Sequence, residues 1–168
     1  MHTVPTTAQR VRVLNMVWAA MIASVVIYWV LGGCVVKTIS RAVPWPSSLL
    51  IMLLGVAATS LVGGIVWLSV AVAAIERRTV PMMLQQLTST DKSILYVRLQ
   101  FVFLISLALL EMPAILGLIN RLADAAHPWM LHVLASSSLT AMGAVRARTF
   151  PVIVGLLNRL GDVELPAR

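Results

Sequence analysis

Charge is scarce in this sequence. Only 11% of its 168 residues are Asp, Glu, Lys or Arg, against about 25% in an ordinary soluble domain. That shortfall excludes a normally solvated globular surface. Acid is scarcer still, with six Asp and Glu against thirteen Lys and Arg. A single cysteine, Cys34, permits no internal disulfide. With three histidines beside it, no metal motif has the right spacing, and no cofactor is expected. Aromatic residues make up 6% of the chain and do not interleave with a basic stripe, so the net charge of +7 is no nucleic-acid signal. There are no paired carboxylates, no nucleophile beside a base and no phosphate-cradling loop, which argues against an enzyme.

What is present is apolar sequence in long runs, 60% of the chain. The expected fold is an all-α integral membrane protein: four transmembrane helices followed by a short C-terminal interfacial helix. After a polar arm over 1–12, charge-free or nearly charge-free spans are expected at about 13–36, 48–74, 95–120 and 129–145. All but the last reach the roughly 20 residues a crossing needs. The first apolar run, which contains Leu31-Gly32-Gly33-Cys34 near its end, also has a signal-peptide and lipoprotein-box character. It is longer than the roughly 7–15 residues of a signal h-region, so an uncleaved span is the reading adopted. Trp45 sits between Pro44 and Pro46 in the first loop as an interfacial anchor. Ser89 or Thr90 is expected to cap a helix beginning near Asp91. The fourth span is the most polar, with His132, Ser136, Ser137, Ser138 and Thr140. Beyond it, residues 146–168 form a tail in which Val152, Ile153, Leu156, Leu157 and Leu160 fall at helical spacing, which predicts an amphipathic helix on the membrane surface.

Two features of the spans carry packing or chemistry. The second span has small residues four apart, Gly55, Thr59 and Gly63 on one face and Ser60 and Gly64 on another, and such faces let helices approach closely in lipid. The third span, between Arg98 and Arg121, holds one acid, Glu111, near its centre. An ionisable group at mid-bilayer costs roughly 2.5–3.5 kcal/mol on the insertion scale and is by default a candidate functional site. Burial in hydrocarbon disfavours the charged form, which is what a group that takes up and releases a proton requires. Pro113, two residues on, removes a backbone donor and leaves a carbonyl free beside the acid. The expected hydrogen-bonding partners of Glu111 are Ser106 on its own helix, Thr59 or Ser60 on the second, and His132 or Ser136 to Ser138 on the fourth. Proton or ion handling and a purely structural hydrogen bond both remain open.

Counting Lys and Arg sets the orientation. With four spans, ten of the thirteen fall in the arm, the second connection and the tail, and three in the other two connections. The positive-inside rule then puts both termini in the cytoplasm.

The stretch Phe103-Leu104-Ile105-Ser106-Leu107-Ala108-Leu109-Leu110-Glu111, with Ile115, Gly117 and Leu118 after it, resembles the ion-carrying helix of the rotor-ring c subunit of rotary ATP synthases. Arg77, Arg78 and Pro81 stand where that family's hairpin has its basic, proline-containing loop, so residues 48–120 resemble one such hairpin. The resemblance implies an ion-binding carboxylate at Glu111 and a ring of many copies. Two departures stand against it. The second span has only Gly55, Gly63 and Gly64 in place of a dense glycine repeat, and Pro113 falls two residues after the acid where the family has three. In layout the chain is more similar to small, uncharacterised four-span bacterial membrane proteins with an acid on the third helix.

The expectation is therefore a small, non-enzymatic protein of the bacterial inner membrane. Glu111 would be a protonatable site within a homo-oligomer or a larger membrane complex, with the lipid bilayer as surroundings and no nucleic-acid partner. The alternatives are a true rotor subunit, an accessory or assembly subunit in which Glu111 is structural, and a small dimeric efflux transporter. The last would want an aromatic cage around the acid, and only Phe101 and Phe103 lie near it in sequence.

Overall fold

The computed structural model describes residues 6–35, 46–78, 89–123 and 127–161. Five helices account for nearly all of them: α1 (Thr7–Val35), α2 (Ser47–Arg78), α3 (Ser89–Ala123), α4 (Trp129–Arg148) and α5 (Phe150–Gly161). There is no strand among the described residues. Four helical stretches are long and apolar enough to cross a membrane: Thr7–Cys34, Ser47–Arg77, Ser93–Ala123 and Trp129–Arg159. The expectations for Trp45 and Pro81 fall outside the described residues.

The helices begin earlier than hydropathy alone suggests. α1 takes in residues 7–12 of the expected polar arm because Thr6 and Gln9 form a capping box. The Gln9 amide donates to Thr6 Oγ1 at 3.4 Å and the Thr6 amide to Gln9 Oε1 at 2.8 Å, so two otherwise orphaned donors satisfy each other. α2 starts behind Pro46, whose carbonyl accepts from the Leu49 and Leu50 amides. α3 starts at Ser89, two residues before the expected position.

The contacts between helices fix their directions. Along α1 and α3, Arg10 meets Tyr96, Ser24 meets Glu111 and Gly32 meets Leu118. Both series ascend together, so these two helices are parallel. α4 runs against them: Trp18 pairs with Arg146 and Trp29 with His132, while Gly117 packs on Leu131 and Leu134. α2 also runs against α3, with Gly64 on Leu109 and Leu110, and Ala57 in a cluster with Leu116, Met130 and Leu134. The result is an up-down-up-down bundle. α3 touches every other helix and supplies Leu99, Phe103, Leu107, Leu110 and Ala114 to the core.

The tail differs from expectation. Its helix forms, but the apolar side carrying Phe150, Ile153, Leu156 and Leu157 is buried in the same core as α1 and α3. α5 continues α4. Thr149 keeps helical angles, φ −94° and ψ −33°, and the amides of Thr149 and Ile153 donate to the carbonyls of Val145 and Thr149. Only Pro151, which has no amide to give to Ala147, interrupts the ladder. Arg146 lies between the rings of Phe150 and Trp18, 3.7 Å and 5.2 Å from their centroids. Cation–π attraction of this kind holds the α4–α5 junction against α1. So the fourth stretch is weak in hydropathy but long: with α5 it spans 31 residues.

Candidate functional site around Glu111

Glu111 is buried, 8% exposed, on the face of α3 that looks into the bundle. It reaches that position because the buried residues of α3, Leu99, Phe103, Ser106, Leu107, Leu110 and Ala114, recur three and four apart, which is one side of a helix. The acid extends that row by one place and Pro113, also buried, follows it. α3 is helical through the proline, and the Leu109 carbonyl has no amide four residues on to accept from. At the same height Gly64 of α2 comes close. A Cβ added there would stand 3.2 Å from Leu109 Cβ and from Leu110 Cγ and Cδ2. A side chain on α2 would therefore push directly against the residues preceding the acid.

The partner of the carboxyl comes from α1. Ser24 Oγ lies against Glu111 Oε1 in a short hydrogen bond and shares its position with a 2.7 Å contact to the Met21 carbonyl. Tyr28, one helical turn further along α1, brings its phenol to the same carboxyl and to Ser24. Ser24 and Tyr28 are the only hydroxyl-bearing residues between Ala8 and Lys37. They sit four apart, hence on one helix face.

None of the expected partners bonds the carboxyl directly. Ser106 is fully buried but bonds the Val102 carbonyl at 2.8 Å. Thr59 is exposed and turned back to the carbonyls of Gly55 and Val56 at 2.9 Å and 3.0 Å, and Ser60 bonds Ala57 at 2.9 Å. Ser136 and Ser137 likewise bond carbonyls of their own helix. These hydroxyls bond carbonyls three or four residues back on their own helix, and that local option outcompeted the long-range pairing expected of them. His132 is not beside Glu111. Its Nδ1 accepts from Trp29 Nε1 at 2.7 Å, ring edge to ring face with centroids 6.0 Å apart.

The packing glycines divide. Gly64 is buried against α3, while Gly55 and Gly63 have nothing within 4 Å of where a Cβ would stand. The close-approach positions that composition did not single out are Gly117, where an added Cβ would stand 3.2 Å from Leu131 Cα, and Gly32, which lies directly under Leu131. Cys34 is exposed at the end of α1.

The arrangement is one carboxyl bonded to a hydroxyl of a neighbouring helix, with a phenol of that helix beside it, inside a mostly apolar bundle. It can accept or give up a proton. Among the described residues no three His, Cys, Asp or Glu side chains gather to hold a metal ion. The fold and this site define a class: a four-helix bundle of membrane-crossing length with one interior acid. No family model matches the chain, and neither does any curated protein or solved structure.

Proposed function

We propose that the chain is a small, non-enzymatic multi-pass membrane protein in which Glu111 is a protonatable site serving proton or ion movement within an oligomer or a larger membrane complex. The observation behind this reading is the burial of Glu111 between helices with its carboxyl bonded to Ser24 of α1. An acid turned into the bundle, near the middle of the longest apolar helix, is shielded from lipid and exchanges its proton only along the helix interfaces. The many large apolar side chains on the outside, such as Ile51, Met52, Val62, Val70, Phe101 and Val97, suit contact with acyl chains, since soluble monomers seldom expose such surfaces. The excess of Lys and Arg in the arm, the second connection and the tail supports an orientation with both termini in the cytoplasm, and a bacterial inner membrane is part of the same reading.

The test is proton movement in vesicles. Reconstituted protein is expected to dissipate an imposed pH gradient faster than Glu111→Gln protein inserted to the same level. Equal rates would contradict the proposal. The mass of the particle in mild detergent separates the assemblies: a closed ring of many copies supports a rotor-type carrier, and a monomer, dimer or mixed complex excludes one.

A second reading has its own observation. The Ser24–Glu111 bond ties α1 to α3 across 87 residues of sequence, as an acid that only fixes helix register would. Glutamine can accept the same bond. An accessory subunit would therefore keep assembly and any coupled activity in Glu111→Gln, whereas a proton-handling one keeps assembly and loses the activity.

A further inference from the structure

Ser138 is fully buried, and its hydroxyl has no hydrogen-bond partner among the described residues. That makes it unlike the serines and threonines around it. Ser136, Ser137 and Thr140 of α4 turn back to carbonyls of their own helix, as do Thr59, Ser60, Ser69 and Ser106 elsewhere. Ser138 stands in the inward row of α4, between Ala135 and Met142.

The register of the bundle places this hydroxyl at the height of Glu111. On α1, Trp29 meets His132 and Trp18 meets Arg146. Stepping toward Ser24 from either pair, along antiparallel helices, reaches residues 137–140. On α3, Gly117 packs on Leu131 and Leu134, and Phe103 on Phe150, which sets Glu111 opposite the same stretch. Of residues 137–140 only Ser138 is buried. Three helices thus bring a polar group to one layer: Ser24 and Tyr28 from α1, Glu111 from α3 and Ser138 from α4.

A buried hydroxyl is almost always hydrogen-bonded in a folded protein, to protein or to ordered water. Two polar groups that face one layer beyond direct reach are commonly joined through a water molecule. We propose that Ser138 forms the third side of the Glu111 site and that one water molecule, bound between them, links the α4 hydroxyl to the α3 carboxyl. Ser138, Glu111 and the Tyr28 phenol supply the about three partners a buried water takes. The water would be the nearest proton donor or acceptor for Glu111, a use that rests on the proton-handling function proposed above, while its binding does not.

The test is infrared difference spectroscopy of the purified full chain in ordinary and heavy-oxygen water, for wild type, Ser138→Ala, Ser138→Thr and Glu111→Gln. An isotope-sensitive stretch from a confined water is expected in wild type and Ser138→Thr, shifted in Glu111→Gln, whose amide takes the carboxyl's place beside the water, and lost in Ser138→Ala. The Glu111 carboxyl band should move to higher frequency in Ser138→Ala as a hydrogen bond is lost. A wild type without the isotope-sensitive band, or a band and carboxyl frequency unchanged in Ser138→Ala, overturns the proposal. If the water band behaves as expected while the carboxyl band never responds to pH, the water site stands and the proton-handling reading fails.

Discussion

α2 and α3 share the same mean hydropathy over their most apolar stretch, yet 17% of that stretch is buried in α2 and 44% in α3. Hydropathy therefore identifies both as apolar helices and cannot say which is the axis of the bundle. The reason is physical. In a membrane the outside of a helix is as apolar as its inside, so composition does not separate packed faces from lipid-facing ones. What separates them here is detail. α3 turns Phe103, Leu107, Leu110 and Ala114 inward with Glu111, while α2 offers one tight approach at Gly64 and leaves Ile51, Val62 and Val70 outside.

This contrast can be broken or sharpened by paired substitutions, compared by denaturant unfolding in mild detergent. The largest difference is expected between two phenylalanines two residues apart. Phe103→Ala empties a fully buried site and should cost about 3–5 kcal/mol, whereas Phe101, 62% exposed, should lose no more than about 0.5 kcal/mol as a surface change. Comparable losses at both positions would mean that α3 is not packed as described.

A smaller split is expected at adjacent glycines of α2. Gly64→Leu forces side-chain atoms onto Leu109 and Leu110 and should cost about 1–3 kcal/mol by overpacking. Gly63→Leu enters open space and should stay within about 0.5 kcal/mol. If Gly63→Leu proves the more harmful, the outer face of α2 is covered by another chain, and the contrast between the helices shrinks in the assembly.

The polar pair comes next. Ser24→Ala removes the hydroxyl that holds Glu111 and should cost about 1–3 kcal/mol for the buried group left unpaired. Thr59→Ala, exposed and bonded only to its own helix, should be near neutral. An indifferent Ser24→Ala would show that the carboxyl does not depend on α1.

How far the sequence alone carries the fold can be read from particular places. The four apolar stretches, the acid and its inward position near Pro113 follow from run length and the cost of charge in hydrocarbon. The partner of the acid does not follow. Helical periodicity gives a face within one helix, while the choice of Ser24 over Thr59, Ser60 or His132 depends on rotation between helices, which no local pattern encodes. One signal was available: Ser24 and Tyr28 are the lone hydroxyl pair of an otherwise apolar span, four apart. The tail shows the opposite limit. Its apolar face was legible, but whether that face meets lipid or protein was decided by the continuity of α4 through Thr149, which Pro151 in the sequence argues against.

The most direct measurement of the central claim is the labelling of carboxyl groups at neutral pH by an apolar carbodiimide, which adds to protonated acids in water-poor surroundings, with the site mapped by mass. A single adduct on Glu111, absent from Glu111→Gln protein of equal helicity, is the result expected of a protonated interior acid. A folded wild type that stays unlabelled at Glu111, or is labelled only at other acids such as Glu76, would contradict it.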